Sequence, residues 1–301
     1  TQLISEAPRS ADQVHNKDWQ QSSYLYQTLI KARTGATTPR QVHDFQTASR
    51  YWLNQFATLD ERPRSSIVST FTSTADLLAH GLAWELMGTE NTIIPEVTYT
   101  GKIIILDLPL QEYGEVGRVI QGIWKTMFQR AVLRRDVREF PRPVFLWCDE
   151  SQNFISSFDY EYQATARSAR SCTVYLTQNL PNYRAKLGAG AHDAALALLG
   201  NFQTKIWHAN GDYVTNTYAA DTIGQRILRL GSEGTSISEG GASANLGTSE
   251  QLHYVIPPHY FARLRKGGIE NARQVDAVIF QGGRVWNTTG DTYLEATFTQ
   301  V

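Results

Sequence analysis

Residues 144–154 read VFLWCDESQNF. Five apolar residues, Val144 to Cys148, run without a break into two adjacent carboxylates, Asp149 and Glu150. A short, continuous apolar run reads as a strand buried on both faces, the kind that builds parallel sheets. In open parallel sheets, ligands sit at the carboxyl ends of the strands, so both acids are expected to project into that crevice. One acid placed there can hold Mg2+, and an adjacent Glu can accept a proton from an attacking water. The alternative is that the acids simply open a helix, because caps and the helix dipole draw carboxylates to helix N-termini.

On both sides of this stretch, strand and helix patterns alternate. GKIIILDLPL (101–110) is a β-branched run with the look of a buried strand, followed by the amphipathic EVGRVIQGIWKTMFQRAVLRR (115–135). After VFLWCD come helix YEYQATARSAR (160–170), strand CTVYLTQ (172–178), helical AHDAALALLG (191–200), strand QTKIWHA (203–209) and helix DYVTNTYAADTIG (212–224). This order predicts a parallel α/β sheet with helical crossovers on both faces. SEGTSISEGGASANLGTSE (232–250) is rich in Gly, Ser and Ala and is expected to be a mobile loop. Strands with tight Gly turns close the chain over 275–298.

Residues before Gly88 read as helices. Thr38 supplies a cap and Pro39 the first helical position of one of them. SSIVSTFTSTADLLAHGLAWELMG (65–88) is a second, with Gly88 as its stop. The chain thus separates into a helical region, residues 1–95, and an α/β region, residues 96–301.

Gln178 ends the strand after the acid-bearing one and should arrive at the same crevice edge, where it can orient water or simply start a turn. Arg167 and Arg170 lie in the helix between, where a solvated helix C-terminus is the simplest reading. The phosphate-cradling pattern G-x-x-x-x-G-K-[ST] is absent: GATTPRQ (35–41) and GTENTIIP (88–95) lack the second glycine and the lysine.

Composition narrows the class. The 301 residues are 42% hydrophobic and 19% charged with a net charge of −1, a globular chain without an overall basic character. Cys148 and Cys172 lack metal-site spacing and are expected to be reduced, buried thiols; the seven histidines show no paired spacing for zinc. No apolar run approaches the ~20 residues of a membrane helix, and no signal peptide opens the chain. The first residue is Thr1, so a piece of a longer protein is expected.

The series GKIIILDLPL, VFLWCDESQNF, ARSARSCTVYLTQNLPNY and NFQTKIWHANGDYVTNTYAADTIG resembles the C-terminal half of TraG/TraD-type coupling ATPases. These are motors of conjugation and type IV secretion, related to the FtsK and HerA translocases. The resemblance runs from about residue 65 to the end. It implies a RecA-like, mostly parallel sheet with flanking helices, preceded by an all-α region. In that family the phosphate loop precedes the helical insert, which places the loop upstream of these residues. By position, Asp149 looks like the Mg2+ ligand, Glu150 like the catalytic base and Gln178 like the γ-phosphate sensor. Arg167 sits where the family places an arginine finger reaching a neighbouring subunit's nucleotide. ATP and Mg2+ are the implied cofactors. The implied partners are DNA, a relaxase or secretion substrate, other secretion components and a hexamer of like chains. The implied location is cytoplasmic, with the parent at the cytoplasmic face of the bacterial inner membrane. Two rivals share these residues: a non-catalytic docking module of a degenerate homologue, and another P-loop motor such as a packaging ATPase or helicase.

Further candidate surfaces are Arg130, Arg134, Arg135, Arg138 and Arg142, and the smaller cluster in ARLRKGG (262–268). Each reads as a solvated helix end or as a phosphate contact. The 232–250 stretch could enter a ring's channel or be merely disordered.

Overall fold

The structure, a computed structural model, describes residues 2–88, 90, 92–188, 192–238 and 241–301. The chain divides into two units, Thr1–Ile93 with Leu110–Ile120, and Ile94–Pro109 with Gln121–Val301.

The first unit is helical. Helix α1 (Tyr24–Gly35) starts at Ser23, whose hydroxyl accepts from Tyr26 N. Helix α2 (Pro39–Arg50) has the expected Thr38 cap, completed by Gln41 as a full capping box, and Pro39 in its first turn. Such a box satisfies two N–H groups that the helix cannot. A π-helical turn, Tyr51–Gln55, follows directly. It precedes Phe56, which packs with Ala7, Leu25 and Leu29 in the core of this unit. Helix α3 (Glu61–Ala79) does not run on to Gly88 as the sequence suggests. It breaks at His80, which is extended, and Gly81, at φ +55°, before a short helix Gly81–Met87. The left-handed backbone at Gly81 is what glycine permits without a Cβ clash.

In the second unit the run at 101–110 is not a strand. Residues 102–109 have no regular structure, and Ile103 and Ile105 are 87% and 82% exposed. Apolar β-branched residues favour extended backbone, but a strand exists only by pairing. No described residue pairs with this run. Helix α4 (Leu110–Arg134) follows, with non-helical backbone at Gly114.

Strand β1 (Val144–Cys148) and strand β2 (Ser171–Tyr175) pair in parallel, Val144 with Ser171 through Cys148 with Tyr175. Helix α5 (Ser157–Ala166) makes the crossover. Tyr162 and Ala166 of α5, Phe128, Ala131 and Val132 of α4, and Val144 share a core with Tyr99 and Ala169. Inside it lies a buried ion pair, Lys125 Nζ to Asp159 Oδ2 at 2.6 Å. Gln129 and the Tyr175 hydroxyl also donate to Asp159. Burial alone would raise the Asp159 pKa, but Lys125 and these donors outweigh it and hold the carboxyl below its ordinary range. Burial and the Asp159 charge push Tyr175 up.

Helices α6 (Leu180–Leu187) and α7 (His192–Asn201) lead to strand β3 (Thr204–His208), and helix α8 (Tyr213–Ile223) follows it. Strand β3 pairs antiparallel with strand β6 (Gln274–Gln281), which pairs antiparallel with strand β7 (Tyr293–Thr299). The expected closing strands and Gly turns are present, with Gly283 and Gly290 at positive φ between β6 and β7. The described residues of the Gly/Ser/Ala stretch, 232–238 and 241–250, are not a loop; residues 239 and 240 lie outside the described residues. They belong to strands β4 (Gln225–Ser238) and β5 (Gly241–Tyr254), an antiparallel hairpin running from Gln225 opposite Tyr254 to Ser238 opposite Gly241. Backbone pairing needs no apolar side chain, so composition alone misreads such a segment. The mixed α/β class, with a parallel pair and flanking helices, is the expected one, but among the described strands only β1 and β2 pair in parallel; β3, expected in the same parallel sheet, pairs antiparallel with β6. Among the described residues no helix is long and apolar enough to cross a membrane.

Candidate functional site

The β1–β2 ladder continues one step past the strands, because Leu176 N donates to Cys148 O at 3.0 Å. The chain then turns sharply at the acids. Asp149 Oδ1 accepts from Glu150 N at 2.9 Å, and Glu150 itself is left-handed, φ 46° and ψ 42°. A non-glycine residue in that region is uncommon and costs ~1–3 kcal/mol, strain that clusters at functional sites. Ser151 fixes the far side of the turn. Its N–H and hydroxyl both donate to Leu176 O, at 2.9 and 2.8 Å, and its oxygen lies 2.6 Å from the Tyr183 hydroxyl.

This turn brings Glu150 to Gln178, whose Nε2 donates to Glu150 Oε1 at 3.0 Å. The backbone of Gln178 is held in turn by the segment after β3, since Asn210 Nδ2 donates to Gln178 O at 2.8 Å. Asn210 is itself braced by Asp212 N and Asn216 Nδ2. The Asp212 side chain caps α8, and Thr215 of that helix accepts from Leu180 N at 3.0 Å. Three strand ends therefore meet at one edge: Asp149 and Glu150 after β1, Gln178 after β2 and Asn210 after β3.

Asp149 is exposed and Glu150 half-buried. Among the described residues no group of three or more His, Cys, Asp or Glu side chains gathers to hold a metal. Asp149 offers one hard oxygen ligand. That fits Mg2+, which usually keeps several waters and takes one or two carboxylates plus phosphate oxygens. Both cysteines are free. Burial raises the Cys148 thiol to about 11, so it stays protonated at neutral pH. Cys172 is exposed, against the expectation of burial.

Arg167 is not with the acids. It is the exposed C-cap of α5, and its carbonyl accepts from Arg170 N, whose own carbonyl accepts from Val144 N at the start of β1. A five-residue strand, ~17 Å long, separates that edge from the acid edge. The arginines expected as one exposed group also split in role. Arg135 is buried and donates to the carbonyls of Arg142 and Ala169. Arg138 pairs with Asp136, and Arg130 lies over the Phe158 ring.

Sequence reasoning missed two members of the acid edge. Asn210 ends β3 as Gln178 ends β2, so the strand-end rule applied once more would have found it. Gln152 carries no such signal. It donates to Glu150 Oε2 only because the backbone turns back at Glu150.

Residues 143–266 match the family model described as the TraM recognition site of TraD and TraG. No curated protein matches the chain in sequence. Among solved structures, the unbound monoclinic form of the bacterial conjugative coupling protein TrwBdeltaN70 is similar at TM-score 0.53 and 15% identity, over 94% of this chain and 65% of that one. The plasmid coupling protein TrwB in complex with the non-hydrolysable GTP analogue GDPNP gives TM-score 0.53 and 14% identity, over 98% and 66%. The trigonal TrwBdeltaN70 form with sulphate gives TM-score 0.54 and 16% identity, over 94% and 65%. The chain therefore spans just under two thirds of the length of those structures. Residues 143–266 thus resemble the TraD and TraG family model, and the chain shares the fold of these coupling-protein structures over 94–98% of its length.

Proposed function

We propose that this chain is the helical-insert and C-terminal α/β part of a DNA-translocating coupling ATPase. The observation that carries the reading is the Gln178–Glu150 hydrogen bond, which joins the carboxyl ends of two parallel strands at 3.0 Å. A polar edge of this kind is where such sheets bind ligands. Residues 1–95 would be the all-α insert and residues 96–301 the C-terminal part of the nucleotide-binding domain.

In this reading Glu150 accepts the proton of the attacking water, and its half-buried carboxylate is already aimed by an amide. Gln178, exposed, is free to turn toward a γ-phosphate. Asp149 would hold Mg2+, which when bound neutralises charge on the phosphates. The chain lacks G-x-x-x-x-G-K-[ST], so the phosphate cradle would come from residues outside it. Arg167, a strand length away, would act on a neighbouring subunit's nucleotide in a hexamer. The partners would be DNA, relaxase or secretion substrates and other secretion components, with the assembly at the cytoplasmic face of the inner membrane.

The test is Glu150→Gln in the full-length protein. ATP binding should persist while turnover falls ~100-fold or more, since an amide cannot take the proton. Wild-type turnover in that variant would leave the acids as a turn feature. The matched family's description as a TraM recognition site supports a second reading, protein docking without hydrolysis. An inactive full-length wild type that still binds a relaxosome protein would favour it.

A further inference from the structure

Two amides, not one, hold the carboxylate of Glu150. Gln178 Nε2 donates to Oε1 at 3.0 Å, and Gln152 Nε2 donates to Oε2. The donors differ in freedom: Gln178 is exposed, whereas Gln152 is only 5% exposed. The backbone of Gln152 is fixed as well. It lies in the single turn Ser151–Asn153, tied by Ser151 to Leu176 O on one side. On the other side Phe154 N donates to Ser151 O, and Lys125 grips Phe154 O.

The amide orientation follows from chemistry. An ionised carboxylate only accepts, so Gln152 must present its NH2 to Glu150, which leaves its carbonyl oxygen turned away. That Oε1 is buried and has no protein donor. A buried, unpartnered acceptor weakens a fold, and an apolar side chain of the same shape would avoid the cost. The glutamine thus leaves one acceptor unpaired and commits its donor to Glu150.

Resting on the reading of Glu150 as the base, we propose that Gln152 is the positioning residue that keeps the Glu150 carboxylate aimed while Gln178 turns to the nucleotide. With Gln178 as the only donor, Glu150 would lose its orientation at the moment the phosphate arrives. Gln152 removes that conflict, because its buried amide has no other carboxylate to serve.

The experiment is ATP hydrolysis by the full-length protein with Gln152→Met, Gln152→Glu and Glu150→Gln, alongside thermal unfolding of the 301-residue chain. Gln152→Met should lower kcat roughly 100-fold, as misplacement of a reacting group does, with KM unchanged and Tm equal or higher. Gln152→Glu puts an acceptor where the donor stood and should also lower kcat, again with KM unchanged. Wild-type kcat in Gln152→Met beside a dead Glu150→Gln overturns the role of Gln152 and leaves the base in place. A fall in Tm with a rise in KM in both Gln152 variants, kcat staying at the wild-type value, means packing only and also overturns it. Full turnover in Glu150→Gln removes the underlying reading, and this inference with it.

Discussion

Lys125 and Asp159 form an ion pair with both members buried, at 2.6 Å, joining α4 to the first turn of α5 immediately after the acid turn. Breaking one side of such a pair strands a charge in the core. Lys125→Met is expected to cost about 3–5 kcal/mol, whereas Lys125→Met with Asp159→Leu should recover much of that loss. Urea unfolding of the three proteins is the check. Equal stability of the single and double variants would mean the charge escapes to water.

The same pair sets a pH dependence. The folded pKa of Asp159 lies below its ordinary 3.8, so the stability it contributes is complete above that value and is lost as pH falls through the folded pKa. Tm measured from about pH 6 down to about pH 2 should show a steeper acid fall in wild type than in Asp159→Asn. Parallel curves would show that Asp159 carries no linkage.

Arg170 has φ 49° and donates to Pro141 O at 2.9 Å. Arg170→Gly removes left-handed strain and one neutral-acceptor bond, effects of similar size near 1 kcal/mol, so its stability should stay close to wild type. Arg170→Ala keeps the strain and loses the bond, and should be less stable than Arg170→Gly by about 1 kcal/mol. Denaturant midpoints decide between them.

Arg167 is exposed and far from the acids of its own chain. Arg167→Ala should leave the Tm of the chain unchanged. In the full-length protein it should spare ATP binding and cut hydrolysis by ~10³ to 10⁵, the range for arginine fingers. Mixing it with a variant that cannot bind nucleotide should restore some activity. Failure of rescue in rings shown to be mixed and to tolerate inactive interfaces would argue against action in trans.

The 301-residue chain by itself should bind MgATP weakly or not at all, because the backbone donors and lysine that grip the phosphates are not in its sequence. Calorimetry giving low-micromolar, Mg2+-dependent binding would contradict this.

Strand ends were the legible part of the sequence. An apolar run with β-branched and aromatic residues, stopped by a polar group, marks both the strand and the edge at which it ends. That is why the meeting of Glu150 and Gln178 at one edge, beside Asp149, could be anticipated by position, as could the Thr38 cap, whose pattern is local. What could not be read depends on partners distant in the chain. GKIIILDLPL has strand composition and no described strand beside it, whereas 232–238 and 241–250 have loop composition and pair along a ladder. The break after Ala79 needed the backbone angle at Gly81. Gln152 needed the reversal at Glu150, a conformation that side-chain patterns do not encode.

The stretch around Ile103 and Ile105 also bears on how the protein behaves in a tube. Two branched hydrocarbon side chains stand almost fully in water, on backbone that pairs with no described strand. Such an edge is adhesive toward any extended chain, its own copies included. Concentration should therefore govern the shelf life of purified samples more than temperature does, and a charged replacement at Ile103 or Ile105 is the change that would keep them monodisperse.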